Sequence, residues 1–198
     1  MTIPTNPSFD LAHLAHVEMF TDKFDESLDF FTRVYGLKLS GQDADSAYLR
    51  AWDDYEYCSL KLTRSDTTGV GHIAYRAASP EALERRVKAI EASGYKVHGW
   101  NDGDPSHGRA FRFEDPFGHV FEIYYDTVWY QPQDEAERAA LNNTASAFSG
   151  AAPRRLDHLN LLSADVTEFR RFMETCLGSR VTEYIELDNG RLGGCWFT

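Results

Sequence analysis

Cysteine is scarce in this chain of 198 residues. Only Cys58, Cys176 and Cys195 occur, scattered and without a CxxC pair. That pattern speaks against a disulfide framework and for reduced thiols in a cytoplasm. Positive charge is also short, with 20 Lys and Arg against 31 Asp and Glu and a net charge of -11. A chain so acidic is not expected to take nucleic acid or an anionic membrane as a partner. No apolar run is long enough to span a bilayer. The first ten residues lack the charged and apolar regions of a secretion signal. The expectation from these absences is a soluble cytoplasmic protein.

What is present is a core. Aromatic residues make up 14% of the chain, with 13 Phe and 10 Tyr. Three short apolar runs each carry a histidine: Leu14-Ala15-His16-Val17-Glu18-Met19-Phe20, Val70-Gly71-His72-Ile73-Ala74-Tyr75 and Leu156-Asp157-His158-Leu159-Asn160-Leu161-Leu162. Each reads as a strand followed by a helix, which is the signature of an internal repeat. A histidine copied with a repeat fits an inherited metal ligand, and it also fits a packing residue.

The first unit covers about residues 14–63 and the second about 70–125. In the first, Asp22 or Asp25 is placed to cap a helix. Leu28, Phe31 and Tyr35 form its apolar face, Gly36 ends it, and three strands follow over 38–41, 47–52 and 58–63. In the second, Ser79-Pro80 starts the helix. Leu83, Val87 and Ile90 form its face, Gly94 stops it, and strands follow over 95–99, 110–114 and 120–125. Asp115-Pro116-Phe117-Gly118 is a turn between the last two. Residues 131–153 read as a linker with a short helix over 134–142. A third unit opens at about residue 154. It has a strand carrying His158, a capping box at Asp165 and Glu168, and a helical face of Phe169, Phe172 and Met173 ended by Gly178. A hairpin over 180–197 turns at Asp188-Asn189-Gly190.

Two histidines and one carboxylate with open positions left over are what a non-haem Fe(II) or Mn(II) oxygenase needs. His16 and His72 stand on the first strands of successive units, and Glu122 stands on the last strand of the second. Strand alternation puts Glu122 on one face with Val120 and Tyr124, and His16 with Glu18 and Phe20. A carboxylate facing into a cup is costly unless paired or bound to metal. His107 and His119 read as surface or supporting residues, and no chemistry attaches to His13 or His98.

Six stretches carry a resemblance: Ala15-His16-Val17-Glu18, Ala47-Tyr48-Leu49-Arg50-Ala51-Trp52, Gly71-His72-Ile73-Ala74-Tyr75-Arg76-Ala77, Ser79-Pro80-Glu81-Ala82-Leu83-Glu84, Phe113-Glu114-Asp115-Pro116-Phe117-Gly118-His119 and Arg155-Leu156-Asp157-His158-Leu159-Asn160. With these the chain resembles an extradiol ring-cleaving dioxygenase of the vicinal oxygen chelate (glyoxalase/bleomycin resistance/dioxygenase) superfamily, most closely the catechol 2,3-dioxygenase group. The resemblance implies an α+β fold of paired βαβββ modules forming half-barrels: one complete barrel at 10–130, a linker at 131–153, and the start of a second at 154–198. It implies cleavage of a small aromatic diol with O2 at an Fe(II) or Mn(II) centre in the second barrel, and a homo-oligomer. His158 matches the first metal ligand of that centre. His16, His72 and Glu122 occupy the corresponding positions of the first barrel, which the family usually leaves as a structural relic.

The intervals of 56 residues from His16 to His72 and 50 from His72 to Glu122, counted on from His158, fall near positions 214 and 264, beyond Thr198. The expectation is therefore a fragment in which His158 lacks its partners and tends to associate through exposed strand edges and half a core. The family's acid–base residue also falls in the part beyond. Where the family signature has a Tyr before the Asp-Pro turn, this chain has Arg112, and His107 matches the signature histidine only loosely. A non-catalytic module that binds small aromatics or drugs is the alternative reading.

Overall fold

The repeat read from the sequence is built as two copies of one element order. In the computed structural model, which describes residues 6–132, 134–135, 138 and 150–198, the first copy opens with β1 (Leu11–Thr21) and α1 (Phe24–Asp29). It continues with β2 (Lys38–Gln42), β3 (Ser46–Arg50) and β4 (Leu60–Arg64). The second has β5 (Gly69–Ala77), α2 (Pro80–Ser93), β6 (Val97–Asn101), β7 (Ala110–Glu114) and β8 (Val120–Tyr124). The eight strands form one mixed sheet in the order β2-β3-β4-β1-β5-β8-β7-β6. Within each copy the first strand pairs in parallel with the last, β1 with β4 and β5 with β8. The copies join through the antiparallel pairing of β1 with β5. These are the expected paired βαβββ modules, and their first strands meet at the centre of the sheet.

The helix of the second module follows its sequence closely. The Ser79 hydroxyl accepts from the Ala82 amide, Pro80 takes the first turn, and Gly94 ends the helix at φ +81°. Val87 and Ile90 are buried, with Leu83 packed beside them. The first module departs from expectation. Neither Asp22 nor Asp25 caps α1; the cap position is Lys23, with no side-chain bond, and Thr21 Oγ1 accepts from the Lys23 amide instead. The helix widens into a π turn over Phe30–Val34. The wider turn shifts the helical phase, so Phe24, Leu28 and Phe31 pack onto the sheet while Tyr35 is exposed.

The expected short helix over 134–142 falls mostly outside the described residues. Residues 150–154 are fastened to the first module, where the Trp52 indole donates to the Ala152 carbonyl and Arg154 pairs with Asp53. The strand expected over 156–162 is absent: the segment has no regular structure, and no strand of the described residues lies beside it to take up its N–H and C=O groups. α3 (Val166–Phe172) then runs into a second π turn, Met173–Leu177, which ends at Gly178 with φ +67°. Asp165 caps α3, but the Glu168 carboxylate does not reach back to complete a capping box; it accepts from the Tyr95 hydroxyl and pairs with Arg171.

The apolar face of α3 is not left open. Phe172, Met173, Cys176 and Leu177 complete the core formed by α2 and the helix-facing residues Ile73, Phe111, Phe113, Phe121 and Ile123. The expectation of half an exposed core is therefore corrected. β9 (Val181–Glu186) and β10 (Leu192–Phe197) form the expected hairpin, a separate two-stranded sheet on which Tyr184, Ile185, Leu187 and Trp196 are exposed. No helix among the described residues is long and apolar enough to cross a membrane.

Candidate metal centre

The site lies on the face of the sheet away from α2. On β8 the alternation sends Phe121 and Ile123 to the helix-side core and Glu122 and Tyr124 to the opposite face. On β5 Ile73 faces the helix, while His72 and Ala74 lie on the opposite face. On β1 simple alternation would fail. Leu14 and His16 have the same parity, yet Leu14 packs on the helix-side core and His16 on the opposite side. The cause is a bulge: Leu14 pairs with Tyr75 and His16 with Ala74, so Ala15 is an extra residue that turns the strand over.

His16, His72 and Glu122 therefore converge, as their repeat positions suggested. His16 Nε2 lies 3.0 Å from His72 Nε2, and His72 Nε2 lies 3.6 Å from Glu122 Oε1. All three residues are at most 1% exposed. The structure adds a residue that the sequence reading had set aside. His107, on the loop between β6 and β7, is buried, and its Nε2 is 3.2 Å from Glu122 Oε1. Its ring stacks on Tyr124 with centroids 4.1 Å apart and on His16 at 5.3 Å. The surface reading of His107 is corrected. The loop is tight: Gly103 has φ +84°, and a Cβ there would run into the backbone of His107 and Gly108. His119 stays outside, in the Asp115 turn, with Nδ1 2.6 Å from Asp115 Oδ2.

A ring of supporting groups fixes which atoms face inward. His72 Nδ1 donates to Glu18 Oε2 at 2.8 Å, so Nε2 is the nitrogen turned toward the cup. His107 Nδ1 donates to the Gly108 carbonyl at 2.8 Å, which likewise turns Nε2 inward. Glu122 Oε2 accepts from Arg112 Nε at 2.5 Å and from Asn101 Nδ2 at 3.2 Å, leaving Oε1 for the cup. Lys61 bridges Glu18 and Asp104 at 3.2 and 3.0 Å. Histidine ligands of metals are held by carboxylates and carbonyls in this way. Arg112, Asn101 and Lys61 carried no spacing signal. Glu18 did, through its alternation with His16.

The electrostatics agree. Burial and the neighbouring His72 and His107 rings hold His16 well below the ordinary histidine range, so it is a neutral donor. Burial pushes the Glu18 carboxyl up, but the hydrogen bond and charge of His72 together with Lys61 outweigh it and bring it to about 2. Burial likewise raises Glu122, and the His107 and His72 rings with Arg112 more than offset this, keeping it an anion well below the carboxylate range.

The donor set fits a metal ion. His107 Nε2 and Glu122 Oε1 are buried without a hydrogen-bond partner, which costs about 1–3 kcal/mol for each group left so. Two overlapping sets, His16–His72–Glu122 and His16–Asp104–His107, each bring their donor atoms within 4.8 Å of one another. Imidazole nitrogens with one carboxylate suit divalent Fe, Mn and Zn.

His158 stands apart. Its side chain is 86% exposed, and its one ion-pair contact is Nδ1 to Asp157 Oδ2 at 3.1 Å. Among the described residues nothing joins it to make a donor set.

A family model described as the Glyoxalase/Bleomycin resistance protein/Dioxygenase superfamily matches residues 13–123. The chain is 42% identical over 193 residues to a metapyrocatechase of Geobacillus stearothermophilus, covering 97% of this chain and 58% of that protein. It is 33% identical over 190 residues to a manganese-dependent 2,3-dihydroxybiphenyl 1,2-dioxygenase of Geobacillus genomosp. 3, covering 96% of this chain and 60% of that protein. The solved substrate complex of homoprotocatechuate 2,3-dioxygenase from Brevibacterium fuscum superposes with a TM-score of 0.80 at 28% identity, over 98% of this chain and 58% of that one. The chain thus spans less than two thirds of the length of these relatives.

Proposed function

We propose, from the premise that the chain belongs to the Glyoxalase/Bleomycin resistance protein/Dioxygenase superfamily, that the working protein built on it is an extradiol dioxygenase. It opens a catechol-type aromatic diol with O2 beside its paired hydroxyls, at a non-haem Fe(II) or Mn(II) centre. The observation that carries the reading is the convergence of repeat-equivalent His16, His72 and Glu122 to donor separations of 3.0 and 3.6 Å. The repeat demonstrably assembles two imidazoles and one carboxylate. Its third copy begins at residues 156–162, with His158 in the ligand position.

Two roles are assigned on this basis. His158 is the first ligand of the ring-cleaving centre, and His16, His72 and Glu122 hold a second metal ion in the cup. The cup itself is closed to a diol. Its donors are at most 1% exposed, and Ala15, Ala74, Ala110 and Tyr124 are packed among them. The same closure disfavours the cup as a binding module for aromatics or drugs. Within it Glu18 orients His72, Arg112 and Asn101 orient Glu122, and the packed residues exclude water. At the ring-cleaving centre a bound metal would bring the diol and O2 together and pass electrons between them. Manganese is supported by the name of one relative. A cytoplasmic setting is supported by free Cys58, Cys176 and Cys195, and association of copies by the exposed apolar side chains of the β9–β10 hairpin.

The test uses the protein produced from its native reading frame, loaded anaerobically with Fe(II) or Mn(II) and supplied with catechol and O2. Yellow ring-fission product with matching O2 uptake is expected. His158→Ala should abolish it, and Glu122→Gln should leave turnover in place. No product from the loaded protein overturns the reading. Product lost in Glu122→Gln and kept in His158→Ala would move the chemistry into the cup.

A further inference from the structure

We propose that the core of the second module is a positioning element for the ring-cleaving centre: through Leu159 and Leu161 it holds residues 156–162 extended, with His158 turned outward, without any strand pairing with them. This rests on the reading of His158 as the first ligand of that centre.

Residues 156–162 have no sheet partner among the described residues, so no ladder dictates their faces. Their burial alternates all the same. Leu159 and Leu161 are partly buried and packed on the core, while His158, Asn160 and Leu162 are exposed. A period of two is the mark of extended backbone with one face covered. An unpaired segment in free solution has no preferred face; here the surface beneath it selects one. That surface does not belong to the third module alone. Leu159 and Leu161 join one continuous core in which Phe172 and Leu177 meet Ile90 of α2 and Phe113 and Phe121 of the sheet. The faces match those of the earlier repeat. On β5 Ile73 turns to this core and His72 away from it. In the third unit Leu159 takes the place of Ile73, and His158 that of His72.

The segment is also fastened at both ends, to different modules of the first barrel. On one side the Trp52 and Asp53 amides donate to the Pro153 and Arg154 carbonyls at 3.2 and 3.0 Å. The Trp52 indole and the Arg154–Asp53 pair reinforce this anchor. On the other side Asp165 caps α3, and the Tyr95 hydroxyl of the second module donates to Glu168 Oε1 at 2.8 Å. Only residues 155–164 run between the two anchors. Ordering a free chain costs conformational entropy. A ligand strand laid on a core and clamped at both ends has already lost that freedom, which is how packed neighbours preorganise a site. The first barrel thereby serves the reaction without chemistry of its own.

The experiment reads backbone order by NMR relaxation of the purified chain, and ring fission by the protein produced from its native reading frame. Wild-type amides of residues 157–162 should show order parameters of about 0.85, the value of rigid backbone, although they lie in no helix or strand. This measurement needs no variant to fold. The double variant Leu159→Ala/Leu161→Ala should drop them below about 0.6. It should also slow ring fission about 10–100-fold, the range for groups that orient a metal ligand. Leu159→Met/Leu161→Met, which keeps the side-chain volume, should restore both. Leu83→Ala, which trims the same core from α2, should change neither. A wild type mobile over 157–162 overturns the inference and leaves the role of His158 standing. So does a double Ala variant that stays ordered or keeps full turnover, or a Leu83→Ala protein that loosens the segment equally. Turnover that survives His158→Ala, with the segment ordered, overturns the ligand reading and the positioning role with it.

Discussion

Replacing Phe172 by Ala tests whether the C-terminal segment is part of the second module's core. Phe172 is fully buried, and its ring lies 5.1 Å from Phe121, 5.2 Å from Tyr95 and 5.8 Å from Phe113, centroid to centroid. Those neighbours belong to β8, β7 and the segment after α2, so the ring is the point at which α3 locks onto the sheet. Removing it deletes buried apolar surface and leaves a cavity among side chains held by the strands, which cannot collapse to fill it. Phe→Ala at such sites costs about 3–5 kcal/mol. For a chain of this length each kcal/mol lowers Tm by about 2–4 °C. The expected fall is then roughly 6–20 °C, with a matching drop in the urea midpoint and an unchanged slope. Phe169→Ala, at a position only partly buried, should cost clearly less. A Phe172→Ala protein within 1 kcal/mol of wild type, or one in which a C-terminal transition separates from the rest, would refute the single-core reasoning.

Other changes probe the cup and the thiols. Gly71 precedes His72, and a Cβ there would meet Glu18 Cδ at 2.7 Å and Cγ at 2.8 Å. Gly71→Ala should push Glu18 off His72, cost about 1–3 kcal/mol and weaken metal uptake; unaltered stability and uptake would contradict the arrangement. Glu18→Gln leaves buried Lys61 with Asp104 as its remaining carboxylate partner, and urea denaturation should show a loss of about 1.5–3 kcal/mol, the worth of a hydrogen bond to a charged group. Burial pushes the Cys176 thiol up to about 11. It should therefore stay protonated and slow toward thiol reagents at pH 8, speeding up only as pH rises toward that value, while partly exposed Cys195 labels first; equal labelling of both in the native protein would count against the packing of Cys176.

The repeat was legible because it rests on local rules. Histidines in successive modules shared a strand position, Ser79-Pro80 and Gly94 bounded a helix, and alternation on β8 put Glu122 opposite the core. The missed features depend on geometry that periodicity does not encode. One inserted residue, Ala15, reverses the face of β1. The π turn at Phe30–Val34 takes Tyr35 off the helical face. His107 lies on an irregular loop, where only its flanking glycines hinted at a tight approach. Residues 156–162 have a strand's composition, but hydrogen bonding, not composition, makes a strand. Asp165 and Glu168 have the spacing of a capping box, yet Glu168 finds Tyr95 of the second module and Arg171 one turn on along its own helix.

The account turns on the cup being a metal centre, and the direct measurement is anomalous X-ray scattering from crystals of the chain grown with a divalent transition ion, with data collected on either side of its absorption edge. A single anomalous peak is expected about 2.0–2.3 Å from His16 Nε2, His72 Nε2 and Glu122 Oε1. A cup with no anomalous peak, and with His16 and His72 still joined nitrogen to nitrogen at 3.0 Å, would contradict it.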